Sequence, residues 1–296
     1  MDTMKRLTKA YESAFCMPFN SKSKFIFFSD VHRGDNSFSD EFAHNQNTYL
    51  HALSYYFRQG FTYIEVGDGD ELWEHSDFKH VRSAHDDVYL MLREFHDLNR
   101  FYPLYGNHNM EFKDPEYVKS SLDSYYDEYL EETNSLFSEI VFHEAIRLQH
   151  EEHQKEIFVV HGHQGDFIND QAWKFTKFIN RHLWHYFHVV GFTNPASPSK
   201  NLQKRHKIEK NYTKWIREHQ KMLIVGHTHR PKFPRSGEEP YFNTGACVYP
   251  RNITGIEIED DSISLIDWRL RPDEDGRLCI IRKVVKGPEP LSDHWR

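Results

Sequence analysis

Short apolar runs punctuate the chain at Phe25 to Phe28, Tyr63 to Val66, Phe101 to Tyr105, Ile157 to Val160 and Leu223 to Val225. Each has strand length and is rich in aromatic or β-branched residues, so each is predicted to be a buried β-strand. The mixed polar and apolar stretches Asp40 to Gln59 and Asp77 to Asn99 separate the first three runs and read as helices. Strands alternating with helices predict a largely parallel sheet with helical cover, hence an α/β fold class. Beyond Gly226 the spacing tightens, with strands expected over Tyr241 to Asn243, Gly255 to Glu259, Ile263 to Trp268 and Leu278 to Val285. Asp260, Asp261 and Gly276 supply the turns, and this half reads as an antiparallel second sheet.

Every one of the five early runs opens into a polar cluster. They are Ser29-Asp30-Val31-His32, Gly67-Asp68-Gly69-Asp70-Glu71, Gly106-Asn107-His108-Asn109, His161-Gly162-His163 and Gly226-His227-Thr228-His229. A strand end that keeps its alternation would point Asp30 and His32 to one side, where they could share an ion. The glycines around Asp68 let the backbone turn sharply and present a carboxylate able to bridge two metals. A single histidine after a strand is usually an ordinary loop residue. Five such clusters in series are not explained that way, because ligands in open α/β sheets bind beyond the carboxyl ends of the strands. The donors are oxygens and imidazoles without thiolates, a set that suits manganese, iron or zinc, with manganese the first choice.

In these motifs the chain resembles the calcineurin-like metallophosphoesterase family over about Phe25 to Pro250, including Asn243-Thr244-Gly245 after the last histidine motif. The resemblance implies a four-layer α/β/β/α sandwich of two mixed β-sheets flanked by helices. It also implies two divalent metal ions, one held by Asp30, His32 and His229, the other by Asn107, His161 and His227, with Asp68 between them. His108 would assist the leaving oxygen as a general acid. The family places an acid after that histidine, whereas here the position is Asn109. A lower proton affinity is expected for His108, unless Asp70 or Glu71 takes over the orienting role. Trp73 after Glu71-Leu72 is similar to the second motif of the UDP-diacylglucosamine hydrolase subgroup, although plain core packing is the preferred account of a tryptophan there.

Arg33 has the planar fork to meet a substrate phosphate oxygen, or to form a surface ion pair with Asp35 or Glu41. His163 and Asp166 stand close enough to His161 in sequence to orient it. Between His163 and Gly226 lie about sixty residues, where a connection of about 4 to 6 is usual, so a helical cap insertion is expected over 166–221. Its first part, Trp173 to Phe192, is crowded with aromatics. Its second part, at 100° per residue, puts Lys204, Lys207, Lys210, Lys214, Arg217 and Lys221 on one side and Ile208, Tyr212, Trp215 and Ile216 on the other. A solvated face over a packed one accounts for this pattern; the functional reading makes Lys207, Lys214 and Arg217 a cationic surface for substrate.

Bulk properties narrow the classes. A chain of 296 residues with 38% hydrophobic and 28% charged positions can bury a core as one domain, 1–296, and no apolar stretch approaches a membrane span. Cys16, Cys247 and Cys279 are scattered, and Met1 to Phe19 lacks the pattern of a secretory leader, so a cytoplasmic location is expected. A net charge of −8 argues against a globally basic nucleic-acid binder. The expected activity is hydrolysis of a phosphomonoester or phosphodiester, on a phosphorylated small molecule or an amphiphilic lipid-like substrate. Peripheral contact with an anionic membrane and a homodimer are compatible with the cap. The alternatives are a metal-binding interaction scaffold without turnover and a nuclease using the basic helix on nucleic acid.

Overall fold

The computed structural model describes residues 3–75, 77–164 and 202–296. In chain order these form α1 (Thr3–Glu12), β1 (Phe15–Phe19), β2 (Phe25–Phe28), α2 (Gln46–Arg58), β3 (Thr62–Val66), α3 (Phe78–Ala84), α4 (Asp86–Asp97) and β4 (Phe101–Leu104). There follow α5 (Pro115–Leu122), a hairpin of β5 (Ser124–Asp127) and β6 (Glu132–Ser135), then β7 (Ala145–His150) and β8 (Glu156–Val160). Helix α6 (Leu202–His219) leads into β9 (Met222–Val225), β10 (Tyr241–Asn243), β11 (Asn252–Glu259), β12 (Ser262–Pro272) and β13 (Leu278–Pro290).

Two mixed sheets result, a five-stranded one in the order β1-β7-β8-β9-β10 and a six-stranded one in the order β13-β12-β11-β2-β3-β4. Alternation along the strands builds the layers. Phe25, Phe27, Ile64 and Val66 of the larger sheet meet Ile146, Leu148, Ile157, Val159 and Ile224 of the smaller one in a shared core. Ile26, Phe28 and Tyr63 point the other way, onto Tyr49 and Leu53 of α2 and Leu92 and Phe95 of α4. On the far side Phe158, Val160, Leu223 and Val225 carry α1 through Leu7 and Ala10, and α6 through Tyr212, Trp215 and Ile216. The fold is the expected α/β/β/α sandwich.

The internal division differs from the sequence reading. The C-terminal strands do not form a second sheet of their own: β11 pairs antiparallel with β2, register Ile256 with Phe27, and so extends the sheet that holds β3 and β4. Strands β8 and β9 belong to the other sheet, joined by the short parallel β10. Periodicity reports which residues are buried, and it does not report which of two sheets a fully buried strand joins. The stretch Asp77 to Asn99 is two helices, because buried His85 leaves helical geometry to bond Asp40 Oδ2 at 2.7 Å and Gln46 Oε1 at 3.0 Å. Strands β1 and β7 went unread in the sequence. The aromatic part of the expected cap, Trp173 to Phe192, and Asp166 lie outside the described residues, while its basic part is α6. Among the described residues no helix is long and apolar enough to cross a membrane.

Candidate metal centre

Strands β2, β3 and β4 of one sheet and β8 and β9 of the other end toward the same pole, and their following loops meet there. After β2 the chain hooks onto the loop after β3: Asp30 N donates to Gly67 O at 3.1 Å, and Val31 N and His32 N both donate to Asp68 O at 2.9 Å. Asp30, His32, Asp68, His227 and His229 all have φ between 50° and 63°. Non-glycine side chains rarely hold this left-handed region, and such strain gathers where function over-determines the backbone. Asp30 and His32 converge through these turns, then, and not through continued strand alternation.

Two donor groups form. In the first, Asp30 Oδ1 lies 3.0 Å from His229 Nε2 and 4.0 Å from His32 Nε2, and the two Nε2 atoms are 3.4 Å apart. In the second, His161 Nε2 lies 3.1 Å from Asp68 Oδ2 and 3.2 Å from Asn107 Oδ1, with the His227 ring 5.2 Å away. Asp30, His32 and His229, and Asp68, His161 and His227, each bring ligand atoms within 4.8 Å of one another. His227 Nε2 is buried and has no hydrogen-bond partner among the described residues, a cost that an ion would remove.

Tautomers fit ligation. His161 Nδ1 donates to Val66 O at 2.9 Å and His32 Nδ1 faces Glu71 Oε2 at 2.9 Å, so in both rings Nε2 is left to face the centre. Burial opposes charge throughout, but His229 holds Asp30 down at about 2, and His161 and His108 keep Asp68 well below the carboxylate range. His161 is raised by Asp68 against its burial. His227 is pushed well down, by burial and then by His161.

The surrounding residues brace the ligand loops. Ser29 Oγ donates to Asp30 Oδ2, which also accepts His227 N at 2.9 Å. Asn243 Nδ2 donates to Gly226 O at 2.7 Å, and Tyr249 donates its hydroxyl proton to His229 O. Gly106 permits a close approach, since a Cβ there would lie 2.1 Å from Asp68 Oδ1. His163 is buried with its ring 5.4 Å from that of His161.

His108 stands at the edge of this set, its side chain about a quarter exposed. Its Nδ1 lies 2.6 Å from Glu71 Oε2, and its ring stacks on Trp73 at 4.1 Å. Burial works against a charge here, yet Glu71 and then Asp68 push His108 up to about 9. Of the two outcomes expected beside Asn109, the structure has the one in which Glu71 stands at His108. Asn109 accepts from Gly106 N at 2.6 Å and shapes the loop, while Glu71 supplies the acid. Trp73 packs on the candidate acid as well as into the core.

Arg33 is placed elsewhere than expected. It is buried, with Nη1 and Nη2 on the two oxygens of Glu65 at 2.7 and 2.8 Å and Nε on Asp70 Oδ1 at 2.8 Å. It pairs with neither Asp35 nor Glu41, and its fork is spent beneath the centre. Lys207, Lys214 and Arg217 lie exposed on α6; Lys214 pairs with Glu218 at 3.7 Å and Arg217 with Glu239 at 2.9 Å.

The loops thus bring together two groups of side chains that could each hold a metal ion, on an α/β/β/α sandwich. Solved structures that resemble the chain include Chaetomium thermophilum Vps29, at 11% identity and a TM-score of 0.37 over 91% of this chain and 99% of that one. A mutant cold-active protein tyrosine phosphatase is 12% identical, TM-score 0.41, over 92% and 83%. A Staphylococcus aureus protein described as a 5'-nucleotidase, in complex with alpha-ketoglutarate, is 14% identical, TM-score 0.33, over 88% and 53%, so the chain spans about half that protein's length. No family model matches the chain, and no curated protein matches it in sequence.

Proposed function

We propose that the chain is a metal-dependent hydrolase of phosphate esters. The observation that carries this reading is the convergence of seven oxygen and imidazole donors, without a thiolate, beside a histidine whose Nδ1 is held by a carboxylate. Asp30, His32 and His229 would hold one divalent cation, Asn107, His161 and His227 the other, and Asp68 would stand between them. Two such ions, when bound, polarise the phosphoryl oxygens and make a water acidic enough to attack at neutral pH.

The chain supplies the rest. Glu71 Oε2 lies against Nδ1 of the His108 ring, which leaves Nε2 to carry the proton that the leaving oxygen needs. In the metal-free protein His108 is raised to about 9 by Glu71 and then Asp68, against its burial, and so holds that proton at neutral pH. The scaffold alternative drew its support from Asn109, and Glu71 removes that support by standing where the acid is needed.

Manganese as the working metal and an amphiphilic phosphodiester as the substrate are the finer parts of this proposal. Elemental analysis of protein loaded with manganese, iron or zinc, with an activity panel of aryl phosphomonoester, aryl phosphodiester, nucleotide-sugar lipid and nucleic acid, tests it. Turnover that disappears on chelation and returns with metal is the expected result. Full metal occupancy with no turnover on any ester would sink it.

A further inference from the structure

Helix α6 enters β9 through Gln220 and Lys221, so the two run antiparallel. Eighteen helical residues rise roughly 27 Å, against about 13 Å for a four-residue strand, so the first turns of α6 overshoot the end of β9 toward the metal pole. Tyr212 marks the level of the ligand loops, because its hydroxyl donates to Gly162 O at 2.6 Å, between His161 and His163. About one turn farther up, Glu209 meets Arg230, the neighbour of His229, at 3.7 Å. Arg205 comes one turn beyond Glu209, on the same helix face, because residues four apart stack on one side.

Arg205 is half-buried, and its Nε is sealed from solvent with no hydrogen-bond partner among the described residues. The sealed Nε is out of reach of a ligand from solvent, so an anion would be met by the terminal Nη donors of the half-buried fork. Its charge reaches Tyr249, the residue that holds His229 O. Three of the other cations weighed for substrate contact are already engaged, and Lys207 is exposed. Arg33 is tied to Glu65 and Asp70. Lys214 and Arg217 lie past Tyr212 toward the opposite pole, with carboxylate partners of their own.

We propose that Arg205 is a substrate-binding residue that donates to a nonbridging oxygen of the phosphoryl group held at the centre. This rests on the phosphoesterase reading above and adds the group that recognises the anion. Arginine suits the task because its planar fork matches phosphate geometry and stays charged at any working pH. Glu209, one turn below it, meets Arg230 beside His229, which puts this stretch of α6 on the side of the centre built by Asp30, His32 and His229.

The test uses inorganic phosphate as the probe, titrated by calorimetry into wild type, Arg205→Gln and Arg205→Lys, each loaded with manganese and checked by elemental analysis for equal metal content. Losing a charged hydrogen bond weakens phosphate binding about 10- to 100-fold in Arg205→Gln. Arg205→Lys keeps the charge and the stem and falls between the two. On an aryl phosphate, KM rises more than kcat falls. Equal phosphate affinity in Arg205→Gln and wild type, at equal metal content, overturns the assignment of Arg205 alone. A metal-loaded wild type that neither binds phosphate nor turns over any ester overturns the phosphoesterase reading, and this assignment with it.

Discussion

Glu71 Oε2 lies 2.6 Å from Nδ1 of His108, and the same oxygen lies 2.9 Å from Nδ1 of His32. One carboxylate thus orients a candidate metal ligand and a candidate acid together. The arrangement makes the pair sensitive to a single neutral substitution.

In metal-free protein His108 should titrate at about 9, and Glu71→Gln should bring it down markedly, as followed by NMR of the imidazole. The stability consequence has a definite sign. A histidine raised in the folded state stabilises fully below its unfolded pKa of roughly 6.5 and loses that contribution as pH climbs through the folded value. Glu71 is depressed, so its contribution is present above the ordinary carboxylate range and fades in acid. The pair therefore stabilises between the carboxylate range and about 9. The stability gap between wild type and Glu71→Gln should be wide at neutral pH and shrink toward pH ~10. A gap that stays constant to that pH would mean the contact contributes no charge-dependent stability.

Arg33 makes a different prediction, one of stability. Its guanidinium is buried against Glu65 and Asp70, under the ring of Tyr89 at 5.2 Å. Removing one member of a buried pair strands the other charge, at a cost of about 3–5 kcal/mol. Arg33→Met should show that loss in urea unfolding, and adding Glu65→Leu should recover part of it. If Arg33→Met unfolds like wild type and raises KM instead, the residue reaches substrate after all.

How far these features could be read from the chain varies by residue. The run Phe25 to Phe28 is β2 to the residue, and all five polar clusters lie where their strands end, because apolar strand and polar loop are local patterns. Arg33 was misplaced because a charged residue in a ligand loop carries no local sign of burial; only the fold brings Glu65 beneath it. Glu71 was legible as one of two acids, and the choice depended on which turn faced His108. Asp70 turns to Arg33 and Tyr89 instead. Arg205 left a trace that went unread: it continues the apolar stripe of Ile208, Tyr212 and Trp215 at helical spacing, and a charge on a buried stripe needs an account.

Metal binding should release protons. His32 and His161 are both raised above the ordinary imidazole value in the metal-free protein, because Glu71 and Asp68 outweigh burial. An ion can take their Nε2 atoms only after each ring gives up a proton, so affinity falls as pH falls, beginning at a higher pH than for an unperturbed histidine. Calorimetric enthalpies of manganese binding at neutral pH should vary with the ionisation enthalpy of the buffer. Enthalpies independent of buffer would show that these rings are neutral before the metal arrives.

Gly106 packs directly against a candidate metal ligand. A Cβ at this position would lie 2.1 Å from Asp68 Oδ1 and 2.6 Å from Asp68 N, so Gly106→Ala must displace the Asp68 carboxylate, grouped with His161 and His227, and the backbone that carries it. Gly106 is not among the residues with positive φ, whereas Gly67 on the neighbouring loop has φ 81° and meets His161. Alanine at 106 therefore carries the clash alone, while alanine at 67 adds backbone strain. Gly106→Ala should lose manganese affinity by about 10- to 100-fold, the scale of a disturbed ligand environment, and some thermal stability as the Asp68 backbone gives way, though less than Gly67→Ala. Gly67→Ala should lose both. The decisive comparison sets melting temperature, measured without metal, against metal stoichiometry for the two variants. Full occupancy in Gly106→Ala would mean that Asp68 does not take part in holding the ions.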